Sequence, residues 1–83
     1  MDIRVIIGKN IQRFRRERSL SQEELSFRSD SSRAYISGLE AGRRNPTALS
    51  LVKFAEALGV TVVELITDHD ADRKTKKSIK ASE

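Results

Sequence analysis

Hydrophobic residues in the first 66 positions recur at the three- and four-residue spacing of amphipathic helices. The first row of them is Ile3, Ile7, Ile11 and Phe14. A later row is Leu51, Phe54, Ala55 and Leu58. No segment alternates apolar and polar residues between the turn signals of a hairpin. The pattern therefore predicts an all-α fold in which these two rows face the core.

Capping residues and glycines divide this region into five short helices. The signals for a helix start are two capping boxes and two single caps: Ser21 with Glu24, Thr61 with Glu64, Ser32, and Thr47. Gly42 and Gly59 are typical of the position just beyond a helix end. We expect the first helix to end near Arg18 and the second to cover about residues 21–29.

The connection between the second and third helices consists only of Asp30, Ser31 and Ser32, residues that favour turns and caps. Two short helices joined this closely cannot form an antiparallel hairpin of any length, so they must cross at a steep angle. That is the geometry of a helix-turn-helix, which we place at about residues 21–41.

Charge favours a polyanionic partner. The chain has 83 residues, which indicates one domain, and its formal net charge is +4. A basic balance of this kind is typical of proteins that bind nucleic acid or an anionic surface. Residues 67–83 contain few apolar side chains. We therefore expect a folded domain at residues 3–66, followed by a flexible charged tail at 67–83.

Several classes of protein are disfavoured by what the chain lacks. It has no cysteine, so disulfides and cysteine-based zinc sites are excluded. We interpret the single histidine, His69, as a solvated tail residue and not as a metal ligand. No apolar run approaches the ~20 residues that span a bilayer, and no signal peptide is recognisable. We expect a cytoplasmic protein without metal, cofactor or membrane partner, and not an enzyme.

Short motifs occur in a fixed order across residues 7–66. They are Ile7-Gly8, Ile11, Phe14-Arg15, LSQEEL at 20–25, SRAYISGLEAGRRNP at 32–46, AEALGV at 55–60 and Glu64-Leu65. Together these segments resemble the lambda-repressor-like (Xre) family of bacterial and phage regulators. The resemblance implies a compact five-helix DNA-binding domain and a sequence-specific transcriptional regulator, acting as a homodimer on a roughly palindromic operator. The chain length and the YISGLE segment are also similar to controller proteins of restriction–modification systems.

The resemblance also implies which residues contact double-stranded DNA, with the third helix in the major groove. The candidates are Gln22, Ser32, Arg33, Ala34, Tyr35, Ser37, Gly38, Arg43, Arg44 and Asn45. Gln22 is expected to contact a phosphate and to brace the residue that opens the third helix. A guanidinium at Arg33 matches the paired acceptors of guanine, and the alternatives are a phosphate contact or a solvated side chain. Tyr35 is either a partly buried ring or a phosphate ligand through its hydroxyl.

A basic loop after the third helix, residues 43–45, is expected to hold the DNA backbone without reading sequence. The last helix is the expected dimer interface, through Val62, Val63 and Ile66. Arg15 and Glu40 resemble the structural ion pair of the family, linking the first helix to the end of the third.

This chain departs from the family pattern in its turn and on its second helix. Asp30 and Ser31 replace a glycine and an apolar residue, so we expect a looser turn. Phe27 stands where the family is normally polar, and it either marks a partner surface or covers neighbouring side chains. The alternative function is an antitoxin-type protein-binding module of the same fold, whose partner is a toxin.

Overall fold

The computed structural model describes residues 2–70 and arranges them as five α-helices. They are α1 (Ile3–Glu17), α2 (Gln22–Ser29), α3 (Arg33–Glu40), α4 (Ala48–Leu58) and α5 (Val62–Ile66). Residues 2–70 contain no strand. The prediction of an all-α, five-helix fold is confirmed, and the boundaries agree closely with those expected from the caps.

Side-chain caps fix where all five helices begin: Asp2 caps α1, and two capping boxes and two single caps begin the other four. In both capping boxes, Ser21 with Glu24 and Thr61 with Glu64, the hydroxyl accepts a hydrogen bond from the glutamate backbone amide, and the glutamate carboxylate accepts one in return. Hydrogen bonds from the backbone amides of Ser21 and Thr61 hold the pKa of Glu24 and of Glu64 below the ordinary value. Ser32 and Thr47 cap the other two. Local sequence therefore sets these helix starts before any tertiary contact forms.

The core combines side chains from all five helices and from the α1–α2 connection. Its buried hydrophobic members are Ile7, Ile11, Phe14, Leu20, Leu25, Ile36, Leu39, Phe54, Ala55, Leu58 and Leu65. Leu51 is partly buried against this cluster. Ile3 is 52% exposed, so the prediction that it faces the core with Ile7 is wrong. Ile3 is the first residue of α1 and lies at the edge of the core.

Close packing of α1 on α3 depends on Gly8. A β-carbon at residue 8 would overlap the carbonyl oxygen of Leu39 and would lie 3.1 Å from the carbonyl carbon of that residue. The obstacle is backbone, which cannot rotate away as a side chain does. The absence of a side chain at Gly8 therefore lets α1 approach α3 and fixes where α3 lies.

The residues after α5 fold back onto α1. The buried Asn10 amide nitrogen lies 2.7 Å from the carbonyl oxygen of Leu65 and 2.9 Å from that of Thr67. His69 meets the ring of Phe14 edge-on, with ring centroids 6.1 Å apart. Residues 67–70 of the predicted tail therefore contact the domain, whereas residues 71–83 lie outside the described residues. The division into a folded domain and a flexible tail stays a prediction. Between residues 2 and 70, no helix is long and apolar enough to cross a bilayer.

Candidate nucleic-acid interface

The connection between α2 and α3 turns sharply at Asp30. Its backbone adopts the left-handed conformation, with φ 53° and ψ 44°, a conformation that favours glycine. The amide of Ser31 donates to the carbonyl oxygen of Ser26 at 3.0 Å, which continues the hydrogen bonding beyond the last turn of α2. Aspartate tolerates the left-handed conformation better than most residues do, so the turn forms without glycine.

The two sides of α3 differ in exposure. Ile36 and Leu39 are buried in the core, with 0% and 1% of their surfaces exposed. The opposite side carries four exposed residues: Ser32, Arg33, Ala34 and Ser37. Core packing therefore holds α3 rigidly from behind, while its N-terminal half presents a small-residue surface with one long cationic side chain.

Gly38 was predicted to contact DNA from this side of α3, but it is not exposed. The residue is buried, because the side chain of Arg44 folds across it. A β-carbon at residue 38 would lie 2.9 Å from Cγ of Arg44 and 3.0 Å from its Nε. Helical spacing gives the faces of α3 correctly, but it does not show that a later side chain covers one of them.

The basic loop after α3 is exposed at Arg43, Arg44 and Asn45. The amide of Arg43 donates to the carbonyl oxygen of Gly38 at 2.9 Å, so the chain leaves the helix in a fixed direction. Neither Arg43 nor Arg44 has a carboxylate partner among residues 2–70, and the same holds for Arg33. Three exposed cations, on α3 and in the loop after it, therefore remain available for an anionic partner.

Tyr35 is half-buried between this loop and the core. Its ring lies nearly parallel to that of the fully buried Phe54, with an interplanar angle of 25° and centroids 6.3 Å apart. The guanidinium carbon of Arg44 lies 5.7 Å from the centre of the Tyr35 ring. The partly buried ring expected as one reading of Tyr35 is present, and the other reading, a phosphate contact by its hydroxyl, stays a prediction.

A polar network holds the end of α3 against α1 and α2. The Arg15 guanidinium forms two bonds with the Glu40 carboxylate, at 2.7 Å and 3.0 Å, and their side chains are only 11% and 4% exposed. Gln12 and Gln22 donate to the same carboxylate at 3.4 Å and 3.1 Å. The structure therefore contains the ion pair expected from the sequence. Gln22 donates here to the residue that ends α3, and its expected contacts with a phosphate and with the residue that opens α3 stay predictions.

Burial and hydrogen bonding act on Glu40 in opposite directions. Burial raises the pKa of its carboxyl. Hydrogen bonds from Arg15 and Gln22, together with the charge of Arg15, lower that pKa by more than burial raises it, so the pKa of Glu40 lies below its ordinary value. The same hydrogen bond raises the pKa of Arg15 above its ordinary value. Both groups are therefore charged at neutral pH, which is the state that holds α3 in place.

The expected dimer residues on α5 separate into two groups. Val63 is 67% exposed and Ile66 is 38% exposed. Val62 packs partly against the core of its own chain. Phe27 on α2 is 77% exposed, so it does not lie over neighbouring side chains. Of the two roles expected from the sequence, a partner surface is the one that remains.

Sequence reasoning missed Asn10 and Gly8. Both interrupt the apolar row of α1, and that interruption is the signal that was available: an amide and a residue without a side chain, next to Ile7 and Ile11. They act on the interface indirectly, because Gly8 sets the position of α3 and Asn10 sets that of α5.

Comparison with known proteins assigns the fold to a family. The model of the HTH_3 helix-turn-helix family matches residues 11–65. That span includes α2, α3 and their turn, and it covers more than half of the chain. The chain belongs to the HTH_3 family. It is thus a helix-turn-helix DNA-binding regulator, and not an enzyme.

Relatives of this HTH_3 protein include two named regulators. An uncharacterized HTH-type transcriptional regulator, y4dJ of Sinorhizobium fredii, is 53% identical over 70 residues, which cover 84% of this chain and 91% of that protein. The control protein C.MunI of a Mycoplasma species is 37% identical over 68 residues, covering 81% and 92%.

A solved structure of similar fold contains DNA. The restriction–modification controller protein C.Esp1396I, crystallised as a tetramer with its natural 35-base-pair operator, is 32% identical and superposes with a TM-score of 0.71. The alignment covers 78% of this chain and 86% of that one. The likeness to controller proteins expected from the length and the YISGLE segment is confirmed.

Proposed function

We propose that this HTH_3 protein binds a roughly palindromic operator as a symmetric homodimer, with α3 lying in the major groove. The observation that carries the proposal is the two-sided character of α3. Its inner side is fixed by Ile36 and Leu39, whereas its outer side is small, exposed and cationic. A rigid helix of this kind fits the major groove and brings its first turn to the base edges.

In this proposal, Arg33 is the residue that contacts base edges. It is the first residue of α3, directly after the Ser32 cap, and it is exposed without an ion-pair partner among residues 2–70. A guanidinium there can donate two hydrogen bonds to O6 and N7 of guanine. The small residues Ala34 and Ser37 allow the helix to come close, and Ala34 can meet a thymine methyl group.

Backbone contacts fall to the residues around the base-reading side. Arg43, Arg44 and Asn45 lie beyond the helix and are exposed, which suits contacts with phosphate that position the protein without reading sequence. Gln22 retains one amide hydrogen beyond its bond to Glu40, so a phosphate contact is compatible with that bond. The hydroxyl of Tyr35 is the remaining candidate.

Dimerisation falls to α5, through Val63 and Ile66. Their exposure leaves apolar surface that a second copy would cover, and Asn10 holds this helix firmly on α1. Val62 contributes less, because it packs partly into its own core. A two-fold pair would present its α3 helices about 34 Å apart, which is one turn of DNA.

A controller of restriction–modification genes is the narrower form of the proposal, and the two controller relatives support it. The cytoplasmic location expected from the sequence is compatible with the proposed binding to DNA. The decisive experiment selects bound duplexes from a random pool and then measures the mass of the free protein and of the complex by sedimentation. We expect a two-fold symmetric consensus bound by an even number of chains. Selection of no consensus, or a single chain on each bound duplex, would overturn the proposal.

A protein partner such as a toxin is the second candidate, and exposed Phe27 is the observation that favours it. Expression from the native locus followed by purification distinguishes the two functions. A stoichiometric second protein that is released by Phe27→Ser would establish the antitoxin function, whereas the regulator alone is expected under the first proposal.

A further inference from the structure

We propose that Gly38 and Tyr35 form a seat for the Arg44 side chain, so that a residue outside α3 is held in advance on the DNA-binding side. Gly38 is therefore a positioning residue and not itself a contact to DNA. This inference rests on the proposed function, because it concerns how the DNA-binding surface is prepared before DNA arrives.

Gly38 leaves the space that Arg44 occupies. The three atoms nearest to a β-carbon at residue 38 are all in the Arg44 side chain: Cγ at 2.9 Å, Nε at 3.0 Å and Cδ at 3.5 Å. A methyl group there would push against the middle of this side chain and not against its mobile tip. Arg44 must then leave its place if residue 38 carries any side chain.

Tyr35 holds the other end of the same side chain. The guanidinium carbon lies 5.7 Å from the ring centre, within the range in which a cation is attracted to the face of an aromatic ring. The ring itself is backed by Phe54, which is completely buried. Both parts of the seat, Gly38 in α3 and the Tyr35 ring against Phe54, are therefore supported by the core.

The arrangement reduces the freedom that Arg44 must lose when it binds. A solvated arginine has to order its side chain on contact with DNA, and that ordering opposes binding. Arg44 is already extended along α3, and no carboxylate among residues 2–70 neutralises it. Arg43 is the natural comparison, since it is adjacent and exposed and has no such seat.

The first test uses the free protein. In NMR spectra we expect contacts between the Arg44 side-chain protons and the Tyr35 ring, with ring-current shifts on Arg44. Gly38→Ala should remove them, while Tyr35→Phe should keep them because the ring remains. Absence of these contacts in the unchanged protein would overturn the seat, and this result does not depend on whether the protein binds the proposed operator.

The second test is a double-mutant cycle on the selected operator. Arg44→Ala should weaken binding by about tenfold, as expected for one charge-assisted hydrogen bond. Gly38→Ala should weaken binding by roughly three- to tenfold, yet have almost no effect when Arg44→Ala is already present. In the control background Arg43→Ala, the effect of Gly38→Ala should persist in full.

Two results of this cycle would overturn the inference. An equal loss from Gly38→Ala with and without Arg44 would mean that the glycine itself faces DNA. No loss at all would mean that the seat does not matter for binding. Alanine is favoured over glycine in helices, so the variant is expected to fold, and circular dichroism confirms it. Failure of the proposed function would differ from both, because the unchanged protein would then select no operator.

Discussion

At the scale of single residues, the exposed arginines differ in how they meet DNA because the backbone delivers them differently. The backbone of Arg33 is fixed in α3. Arg43 instead follows Gly42, whose φ of 75° turns the backbone away from the direction of that helix. A side chain in the first turn of a recognition helix reaches base edges, and one beyond the helix reaches the sugar–phosphate rim. Equal charge therefore does not imply an equal role.

We predict that Arg33→Ala weakens binding to the operator more than binding to scrambled DNA, by about 1–3 kcal/mol of lost discrimination. Arg43→Ala should weaken both duplexes similarly and reduce the salt slope by about one unit per site. Binding to both duplexes across a salt series measures the two effects. If Arg33→Ala gives equal loss on both duplexes, that arginine holds the backbone and does not read a base.

Asn10 shows how one polar side chain can fix a whole helix. Its amide nitrogen approaches three carbonyl oxygens near the end of α5, from Glu64, Leu65 and Thr67, at 3.3, 2.7 and 2.9 Å. These are carbonyls that a helix leaves without partners at its C-terminus. Because a carbonyl only accepts, the side chain here must present its NH₂ group.

We predict that Asn10→Asp destabilises the domain more than Asn10→Ala does. Alanine leaves buried carbonyls unsatisfied, at about 1–3 kcal/mol, whereas aspartate places a buried carboxylate against them, at roughly 3–5 kcal/mol. Urea unfolding at pH 7 measures both. Asn45→Asp makes the same chemical change on the surface and should alter the free energy of unfolding little. Equal losses for Asp and Ala at residue 10 would contradict this account.

At the scale of helices, the sequence predicts what is local and misses what is distant. In each capping box, the cap residue (Ser21 or Thr61) lies three residues before its glutamate, so the sequence alone identifies these helix starts. Asn10 meets carbonyls 54 to 57 residues away, which no local pattern indicates. The exposed side of α3 was predicted except at Gly38, whose cover comes from the following loop.

Gly8, Gly38 and Gly59 each lack a side chain for a different physical reason. Gly8 meets the backbone of α3, and Gly38 meets only the side chain of Arg44. Gly59 has nothing within 4 Å of where a β-carbon would lie, but its φ of 70° is left-handed. Helix packing, an arginine seat and backbone conformation are therefore three distinct requirements that alanine substitution can tell apart.

We predict that Gly8→Ala is the most destabilising of the three alanine variants, at about 3 kcal/mol, because the overlap is with backbone. Gly59→Ala should destabilise by roughly 1–2 kcal/mol through the left-handed backbone alone. Gly38→Ala should be close to neutral, since Arg44 can swing aside. Denaturant unfolding of the series gives the order, and a Gly8→Ala variant as stable as Gly59→Ala would show that α1 and α3 are not held in close contact.

At the scale of the whole molecule, the Glu40 network joins three helices through one carboxylate. Arg15 and Gln12 come from α1, Gln22 begins α2, and Glu40 ends α3. The network and the backbone contact at Gly8 therefore both fix the C-terminal end of α3. Acid acts on this arrangement through the charge of Glu40.

The folded protein holds the pKa of Glu40 below its ordinary value of 4.5. Its contribution to stability is therefore fully present above about pH 5 and is lost as pH falls through the folded-state pKa. We predict that Glu40→Gln destabilises the domain by roughly 3 kcal/mol at pH 7, because the mostly buried Arg15 loses its anionic partner.

The difference between Glu40→Gln and the unchanged protein should shrink as pH falls from about 5 towards 3, because the unchanged protein then loses the same charge by protonation. Unfolding curves at a series of pH values measure this convergence. Glu23→Gln is the control, since that exposed carboxylate lies outside the network and its removal should leave the acid slope unchanged. A difference that stays constant from pH 7 to pH 3 would mean that Glu40 stabilises α3 through packing and not through its charge.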